Sequence, residues 1–207
     1  MTDRQLRTVV ESADGSIIIG TDKGIFKSSE GGQNWKHVFE DGLILDIVAS
    51  NGILIAGGSR GVMRSIDGGE HWACVLNKNI LIKKTGLLND RFAVILGTED
   101  ADKVHREGIT SRLLVSDDAG LTWHRMEQPL LPVPDVFDMD ERLLEVKDIY
   151  DIVQVDNALF CSFDTGIYRS YDDGKTWQPV LVSPNNKVFS IAVSGNVIYA
   201  ISRGGGC

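Results

Sequence analysis

A short motif occurs four times along the chain, and this repetition constrains the fold more than any other feature of the sequence. The pattern is Ser-x-Asp/Glu-x-Gly-x-x-Trp, and it occupies residues 28–35, 65–72, 116–123 and 170–177. It uses all four tryptophans of the 207 residues, so a chance origin is not a reasonable explanation. Because a repeat of a few tens of residues marks stacked supersecondary units, each motif should belong to one unit of a repeat fold.

Short apolar runs precede each motif and indicate β-strands. Residues 16–20 and 25–27 precede the first motif, and residues 158–163 and 167–169 precede the fourth. Runs of β-branched and aromatic residues that are separated by Gly, Asp and Thr predict antiparallel hairpins. A further apolar run, such as residues 188–193, lies next to these pairs. Each repeat is therefore predicted to be a four-stranded antiparallel meander, with the motif in the turn between its third and fourth strands.

The repeated motif resembles the Asp-box, or BNR repeat, of the sialidase-like β-propellers, and the resemblance extends over nearly the whole chain. It implies an all-β fold, a β-propeller of four-stranded antiparallel blades with four complete Asp-box blades plus a partial fifth, in a single domain over residues 1–207. The same spacing places a fifth motif serine just beyond Cys207. The expected result is a five-bladed propeller or a fragment of a larger one, with self-association through the partial last blade as one possibility. The blades are expected at about residues 5–40, 41–78, 79–128 and 143–182, with the partial blade at 186–207.

The motif residues are interpreted as structural. A carboxylate in a turn accepts hydrogen bonds from backbone amides, and glycine adopts backbone conformations that other residues resist. A tryptophan at the end of the turn is expected to pack between neighbouring blades, with its indole N–H near a backbone acceptor. The residues assigned to this role are Ser28, Glu30, Gly32, Trp35, Ser65, Asp67, Gly69, Trp72, Ser116, Asp118, Gly120, Trp123, Ser170, Asp172, Gly174 and Trp177.

Two insertions interrupt the regular spacing and suggest where a binding site would lie. They fall near residues 98–111 and 127–148, in loops expected on the blade face opposite the motif turns, and loops on a rigid scaffold commonly carry function. The second insertion has a net charge of −5 within a total of −8. It is either a cation site or lid, or a solvated acidic loop packed through its leucines. The candidate binding residues on this face are Asp22, Arg60, His105, Arg106, Asp135, Asp138, Asp140, Asp164 and Arg203.

Composition and motif content exclude several classes of function. The net charge of −8 argues against binding to nucleic acid, and the apolar runs are too short for insertion into a membrane. Three widely spaced cysteines form neither a disulfide framework nor a zinc motif, and no phosphate-binding or dinucleotide-binding motif occurs. We therefore expect no cofactor and no metal. The amino terminus lacks the apolar core of a signal peptide. Two compartments therefore stay open for this protein. One is the cytoplasm, and the other, if a signal was removed, is the secreted or periplasmic location that the resemblance favours.

Two functions remain open. The sialidase resemblance would imply an Arg-Ile-Pro motif, three substrate-binding arginines and a Tyr–Glu nucleophile pair. No Arg-Ile-Pro occurs, and Arg64 and Arg169 both directly precede a motif serine, which indicates a role in the blade. Other glycosidases use two carboxylates, but no pair can be assigned from the sequence. We predict a non-catalytic interaction domain that binds a protein or a glycan, and the alternative is a glycoside hydrolase of the sialidase-like type or a degenerate relative of one.

Overall fold

A computed structural model describes residues 5–76, 80–97, 113–126, 149–163, 165–183, 187–194 and 197–202. These residues form strands and turns and contain no helix. The strands are arranged in four four-stranded antiparallel sheets and one two-stranded sheet. The all-β fold predicted from the apolar runs is confirmed.

The strands of each sheet follow one another along the chain. The first sheet contains β1 (Leu6–Glu11), β2 (Ile17–Thr21), β3 (Gly24–Ser28) and β4 (Lys36–Phe39), and the second contains β5 (Ile44–Ser50), β6 (Ile53–Gly58), β7 (Gly61–Ser65) and β8 (Ala73–Leu76). The third contains β9 (Ile82–Leu88), β10 (Arg91–Leu96), β11 (Leu113–Ser116) and β12 (His124–Arg125). The fourth contains β13 (Asp151–Val155), β14 (Ala158–Phe163), β15 (Gly166–Ser170) and β16 (Gln178–Val182), and the two-stranded sheet contains β17 (Phe189–Ser194) and β18 (Val197–Ser202).

Every four-stranded sheet is a simple meander in which each strand pairs with the next along the chain. Each motif occupies the turn between the third and fourth strands of its sheet, as the sequence predicts. The fourth strand begins one residue after the motif tryptophan in all four repeats, at Lys36, Ala73, His124 and Gln178. We call residues 28–35, 65–72, 116–123 and 170–177 the first to fourth Trp turns.

The chain divides into two compact units. The first comprises Met1–Ala101 with Leu114–His124. Its buried side chains form one cluster that joins the first two sheets, including Ile18, Ile25 and Leu54, and Trp72 packs against this cluster. A second cluster joins the second and third sheets through residues such as Ile55 and Val94, and Trp123 packs against it. These tryptophans thus cover the apolar layer between consecutive sheets.

The second unit comprises Asp102–Leu113 with Arg125–Cys207. Its core cluster contains Phe160, Ile167 and Ile191, with Ile198 of β18 packed against it. The strand β17 contacts β13 and β14 of the fourth sheet, so the two-stranded sheet follows the fourth sheet as one sheet follows the next in the first unit.

Two carboxylates connect the first strands of neighbouring sheets. Asp46 in β5 accepts hydrogen bonds from Thr8 Oγ1 at 3.2 Å and from the backbone N–H of Thr85 in β9 at 3.0 Å. Asp151 in β13 accepts one from the backbone N–H of Ile191 in β17 at 2.9 Å. The first strand of each sheet is an edge strand, whose amides on one side lack a strand partner, and these carboxylates satisfy two of them. The sequence reading did not single out either aspartate.

Candidate functional site

The motif serine and glycine fix the path of each Trp turn. In every turn the serine Oγ accepts a hydrogen bond from the backbone N–H of the glycine four residues later, at 2.8–3.0 Å. That glycine has a φ between +82° and +88°, in the left-handed region where a Cβ is disfavoured. The sequence explains the glycine, but the serine contact was not anticipated.

The aspartates of the last three turns bind backbone amides. Asp118 Oδ1 accepts from the N–H groups of Leu121 at 3.1 Å and Thr122 at 2.8 Å, and Asp118 Oδ2 accepts from Thr122 Oγ1. The hydrogen bonds from the Thr122 side chain and backbone lower the pKa of Asp118 to about 2. The fourth turn repeats this arrangement, since the backbone N–H and hydroxyl of Thr176 lower the pKa of Asp172 to about 2. These carboxylates are therefore ionised at neutral pH.

In the second turn a histidine replaces the threonine. Asp67 Oδ1 accepts from the backbone N–H groups of Glu70 and His71 at 3.1 and 3.0 Å, and Asp67 Oδ2 lies 2.7 Å from His71 Nδ1. The backbone hydrogen bond from His71 is the largest cause that holds the pKa of Asp67 well below its usual value. The histidine thus has the same local role as the threonines of the later turns.

The first turn differs from the sequence expectation. Glu30 does not use its carboxylate for a turn amide, and its Oε2 accepts instead from the Asn34 side-chain amide at 2.6 Å. Glutamate is one methylene longer than aspartate, so its carboxylate extends past the backbone N–H groups that an aspartate reaches.

Two of the four indoles bind a carbonyl of their own turn. Trp72 Nε1 donates to the Gly69 carbonyl at 3.0 Å, and Trp177 Nε1 donates to the Gly174 carbonyl at 2.9 Å. Trp123 departs from the expectation, because its Nε1 is buried and has no acceptor among the described residues.

A basic residue before the motif serine contacts the next Trp turn in the first two sheets. Lys27 Nζ lies 2.9 Å from Glu70 Oε1 in the second turn and 3.2 Å from Asp14 Oδ2. Burial alone would lower the pKa of Lys27, but the hydrogen bonds to Glu70 and Asp14 raise it. In the second sheet, Arg64 Nε donates to the Ala119 carbonyl of the third turn at 2.8 Å. Val115 holds this position in the third sheet and offers no such contact.

Two cavities of the first unit open beside the Trp turns. One, of about 280 Å³, lies along the first turn and is lined by Lys27, Ser29, Glu30, Asn34, Trp35, Lys36 and Glu70. The other, of about 350 Å³, is lined by residues of the β1–β2 and β5–β6 turns and by Gly68 of the second Trp turn. Sequence reasoning directed attention to the opposite loops and missed these concave surfaces, because they form between segments that are distant along the chain.

Two residues of the predicted binding face can be located. Asp22 lies in the β2–β3 turn, where its Oδ1 accepts from the backbone N–H of Gln5 at 3.3 Å. Arg60 lies in the β6–β7 turn and binds Asp41 Oδ1 through Nε at 2.9 Å and Nη2 at 2.7 Å. Both are exposed. The remaining candidates of this face lie outside the described residues: His105, Arg106, Asp135, Asp138, Asp140, Asp164 and Arg203.

The described carboxyl groups whose pKa values are clearly shifted share one direction of shift. Wherever a carboxyl pKa departs clearly from its usual value, it is lowered. Asp14 illustrates the cause, since it accepts hydrogen bonds from the Ser12 hydroxyl and the backbone N–H of Ser16. Within the described ranges, no group of three or more His, Cys, Asp and Glu side chains is placed to hold a metal ion.

Of the two cysteines that the structure describes, Cys161 has a clearly shifted pKa, and the shift is upward. Burial, together with the charge of Asp151, raises the pKa of the Cys161 thiol well above its usual value, so this thiol is protonated and unreactive at neutral pH. In the part of the chain that the structure describes, no helix is long and apolar enough to cross a membrane.

Comparison with known proteins identifies the fold. No protein-family model matches the sequence, and no curated protein matches it either. Among solved structures, an ancestral GH74 enzyme matches with a TM-score of 0.68 and 19% identity, over 96% of this chain and 27% of that one. The GH74 xyloglucanase from Xanthomonas campestris matches with a TM-score of 0.55 and 19% identity, over 84% of this chain and 29% of that one. YCF48 from Cyanidioschyzon merolae matches with a TM-score of 0.61 and 15% identity, over 99% of this chain and 66% of that one.

The meander sheets and these likenesses define the chain as an all-β protein of the β-propeller class. The chain spans less than a third of the length of the two GH74 structures and about two thirds of YCF48. At these identities the likeness shows the fold alone.

Proposed function

We propose that this chain is a non-catalytic binding module of the sialidase-like superfamily, in which Asp-box turns hold the blades and a protein or glycan ligand binds elsewhere. The four Trp turns match the Asp-box in sequence, and their serine and acidic side chains are occupied by hydrogen bonds within the fold. The motif residues therefore have a structural role in this proposal and do not contact ligand.

The direction of the clearly shifted carboxyl pKa values in the described residues supports binding over hydrolysis. A glycosidase needs one carboxylic acid whose pKa is raised, so that it can protonate the leaving oxygen at working pH. The clearly shifted carboxyl groups in the described residues have lowered pKa values instead, because turn amides, hydroxyls and lysines stabilise their charged form. Such groups are poor proton donors.

The proposed ligand surface is the face that carries the β2–β3 and β6–β7 turns. Asp22 and Arg60 project from these turns, are exposed and bear opposite charges, which suits polar ligands such as a charged peptide segment or a glycan. The Arg60–Asp41 pair is exposed, so its contribution to stability is small and the arginine is available to exchange partners.

Binding to peptide and glycan panels tests the proposal, followed by affinity measurements on two variants. Asp22→Ala combined with Arg60→Ala should weaken the identified interaction about 10-fold or more, the effect of losing roughly 1.4 kcal/mol. Lys36→Ala, which removes an exposed charge from the 280 Å³ cavity beside the Trp turns, serves as the control and should leave affinity unchanged. The opposite result, with binding lost only in Lys36→Ala, would place the ligand beside the Trp turns and contradict the proposed face.

The likeness to GH74 enzymes favours one second candidate, a glycoside hydrolase. Assays with xyloglucan, sialosides and aryl glycosides decide between the two functions. Turnover above background that disappears on mutation of a single acid outside the Trp turns would establish the hydrolase and reject the binding module.

A further inference from the structure

The β2–β3 turn, which carries Asp22 on the proposed ligand face, is held by a side chain from the fourth strand of its sheet. His37 of β4 has its Nε2 2.9 Å from the carbonyl oxygen of Lys23. Because a carbonyl oxygen can only accept, Nε2 carries the proton and donates to it. Within the turn, the Lys23 N–H donates to Thr21 Oγ1 at 3.0 Å. The imidazole thus holds, from outside the turn, the residue that directly follows Asp22.

The His37 ring is itself kept in place by packing. It stacks on Phe26 of β3, with ring centroids 4.0 Å apart and 8° between the ring planes. A Cβ added at Gly24 would lie 3.2 Å from His37 Nε2, so the ring rests against the backbone where the turn enters β3. Its Nδ1 lies 3.7 Å from Glu40 Oε1, and the side chain is 28% exposed. Since packing has already removed its rotamer freedom, the hydrogen bond to Lys23 costs little further entropy.

A β-bulge next to this position recurs in three of the sheets. In the first sheet the register between β3 and β4 shifts so that Val38 falls between the paired residues His37 and Phe39. The register shifts in the same way after Cys74 in the second sheet and after Pro179 in the fourth. A bulge bends the strand and redirects its side chains. The direction of the side chain at this position is therefore a property of the repeat, while its chemistry differs from sheet to sheet.

These three sheets hold the turn between their second and third strands with different groups. In the second sheet, Cys74 Sγ lies 3.9 Å from the carbonyl oxygen of Arg60 in the β6–β7 turn. In the fourth sheet Pro179 offers no donor. There Tyr168 of β15 binds the β14–β15 turn instead, with its hydroxyl 3.0 Å from Thr165 Oγ1. A thiol is a weak donor, so the ring N–H of the first sheet holds a turn carbonyl more firmly than the thiol of the second.

We propose that His37 is a positioning residue of the ligand face, because its hydrogen bond to the Lys23 carbonyl sets the direction of the Asp22 carboxylate. Asp22 Oδ1 also accepts from the backbone N–H of Gln5, but at 3.3 Å this contact is longer than an ordinary hydrogen bond. His37 acts through the backbone of the turn and not through contact with a ligand. The inference rests on the proposed function, since Asp22 belongs to the ligand face proposed there.

Two substitutions at position 37 separate the hydrogen bond from the packing of the ring. His37→Phe keeps an aromatic ring that can stack on Phe26 but has no donor. His37→Gln loses the ring but keeps a side-chain N–H for the Lys23 carbonyl. His124→Phe is the matched control, because His124 also lies in a fourth strand, and its Nε2 is 3.3 Å from Asp117 Oδ2. Each variant is made in the full chain, and urea unfolding followed by tryptophan fluorescence checks that it is folded.

Amide hydrogen exchange at Lys23 measures the opening of the turn, and the chemical shift of the Gln5 amide proton reports the position of the Asp22 carboxylate. His37→Phe should speed exchange at Lys23 about 10-fold, the effect of losing one hydrogen bond of ordinary strength. His37→Gln should restore slow exchange in large part. The Gln5 amide proton should move upfield in His37→Phe and return toward its wild-type position in His37→Gln. His124→Phe should change neither quantity.

Three results would overturn the proposal. Unchanged exchange at Lys23 in His37→Phe would show that the imidazole does not hold the turn. Equal acceleration in His37→Phe and His37→Gln would show that a donor at position 37 is not what holds it. An unchanged Gln5 shift beside faster exchange at Lys23 would show that the turn does not direct Asp22.

The exchange and chemical-shift measurements need no ligand, so they are independent of the test of the ligand face. If they fail, His37 is rejected as a positioning residue and the affinity of the variant with Asp22→Ala and Arg60→Ala still decides on the face. If that variant binds as wild type does, the face is rejected, while the two readouts on His37 still decide whether it holds the turn.

Discussion

The third Trp turn contains a residue whose replacement should stabilise the protein. Ala119 has a φ of +60°, in the left-handed region, which costs an L-residue about 1–2 kcal/mol. The equivalent positions of the first and second turns are Gly31 and Gly68, with φ values of +61° and +68°. Ala119 is exposed, and its carbonyl contact with Arg64 is a backbone interaction that glycine retains. The native conformation therefore favours glycine at this position.

The net effect of Ala119→Gly follows from two opposed contributions. Relief of the left-handed conformation contributes about 1–2 kcal/mol, and the greater freedom of glycine in the unfolded chain costs about 0.4–1 kcal/mol. The expected gain is about 0.5–1 kcal/mol. With a urea m-value of about 2–3 kcal/mol/M, the midpoint should rise by about 0.2–0.5 M. Tryptophan fluorescence during urea unfolding measures this shift.

A matched substitution separates this mechanism from a general effect of glycine. Ala73 is also exposed but lies in strand β8, where glycine weakens a strand. Ala73→Gly should lower the midpoint, in the opposite direction to Ala119→Gly. If both substitutions destabilise the protein, the left-handed conformation of Ala119 carries no appreciable cost and the reasoning is refuted.

Three further predictions concern the Trp turns and their contacts. Gly120→Ala should destabilise the first unit by about 2–4 kcal/mol in the same urea assay, because φ at Gly120 is +82° and an added Cβ would lie 2.5 Å from Ile55 Cδ1. An unchanged urea midpoint would contradict this prediction. The pKa of Asp118 falls from its usual 3.8 to about 2 on folding, so its contribution is complete above about pH 4 and is lost as the pH falls through 2. Urea midpoints between pH 5 and 2 should decline less steeply in Asp118→Asn, and parallel curves would disprove the assignment. Lys27→Met should lower the free energy of unfolding by only about 1–2 kcal/mol, because Glu70 is partly exposed and is still stabilised by water and by Lys36. A loss above about 3 kcal/mol would indicate that the Glu70 carboxylate is left uncompensated.

The sequence by itself determined the repeat and hence the fold class. Tryptophan and glycine at fixed offsets, with apolar runs before them, predicted four meander sheets and located every Trp turn between the third and fourth strands. These features are local, because a turn that needs a left-handed glycine and strands that need short apolar runs depend on residues close together along the chain. The acceptor role of the aspartates in the last three turns follows from the same short-range geometry.

Only the tertiary structure decided which side chains meet between repeats. Lys27 reaches Glu70, Arg64 reaches the Ala119 carbonyl, and Asp151 binds the amide of Ile191, in each case across several tens of residues. Spacing along the chain identifies equivalent positions but does not show whether an equivalent partner is present. Arg169 holds the position equivalent to Arg64, yet its buried Nε has no acceptor among the described residues. The cavities beside the Trp turns arise in the same way, from the packing of one sheet against the next, and packing depends on distances that a one-dimensional pattern does not contain.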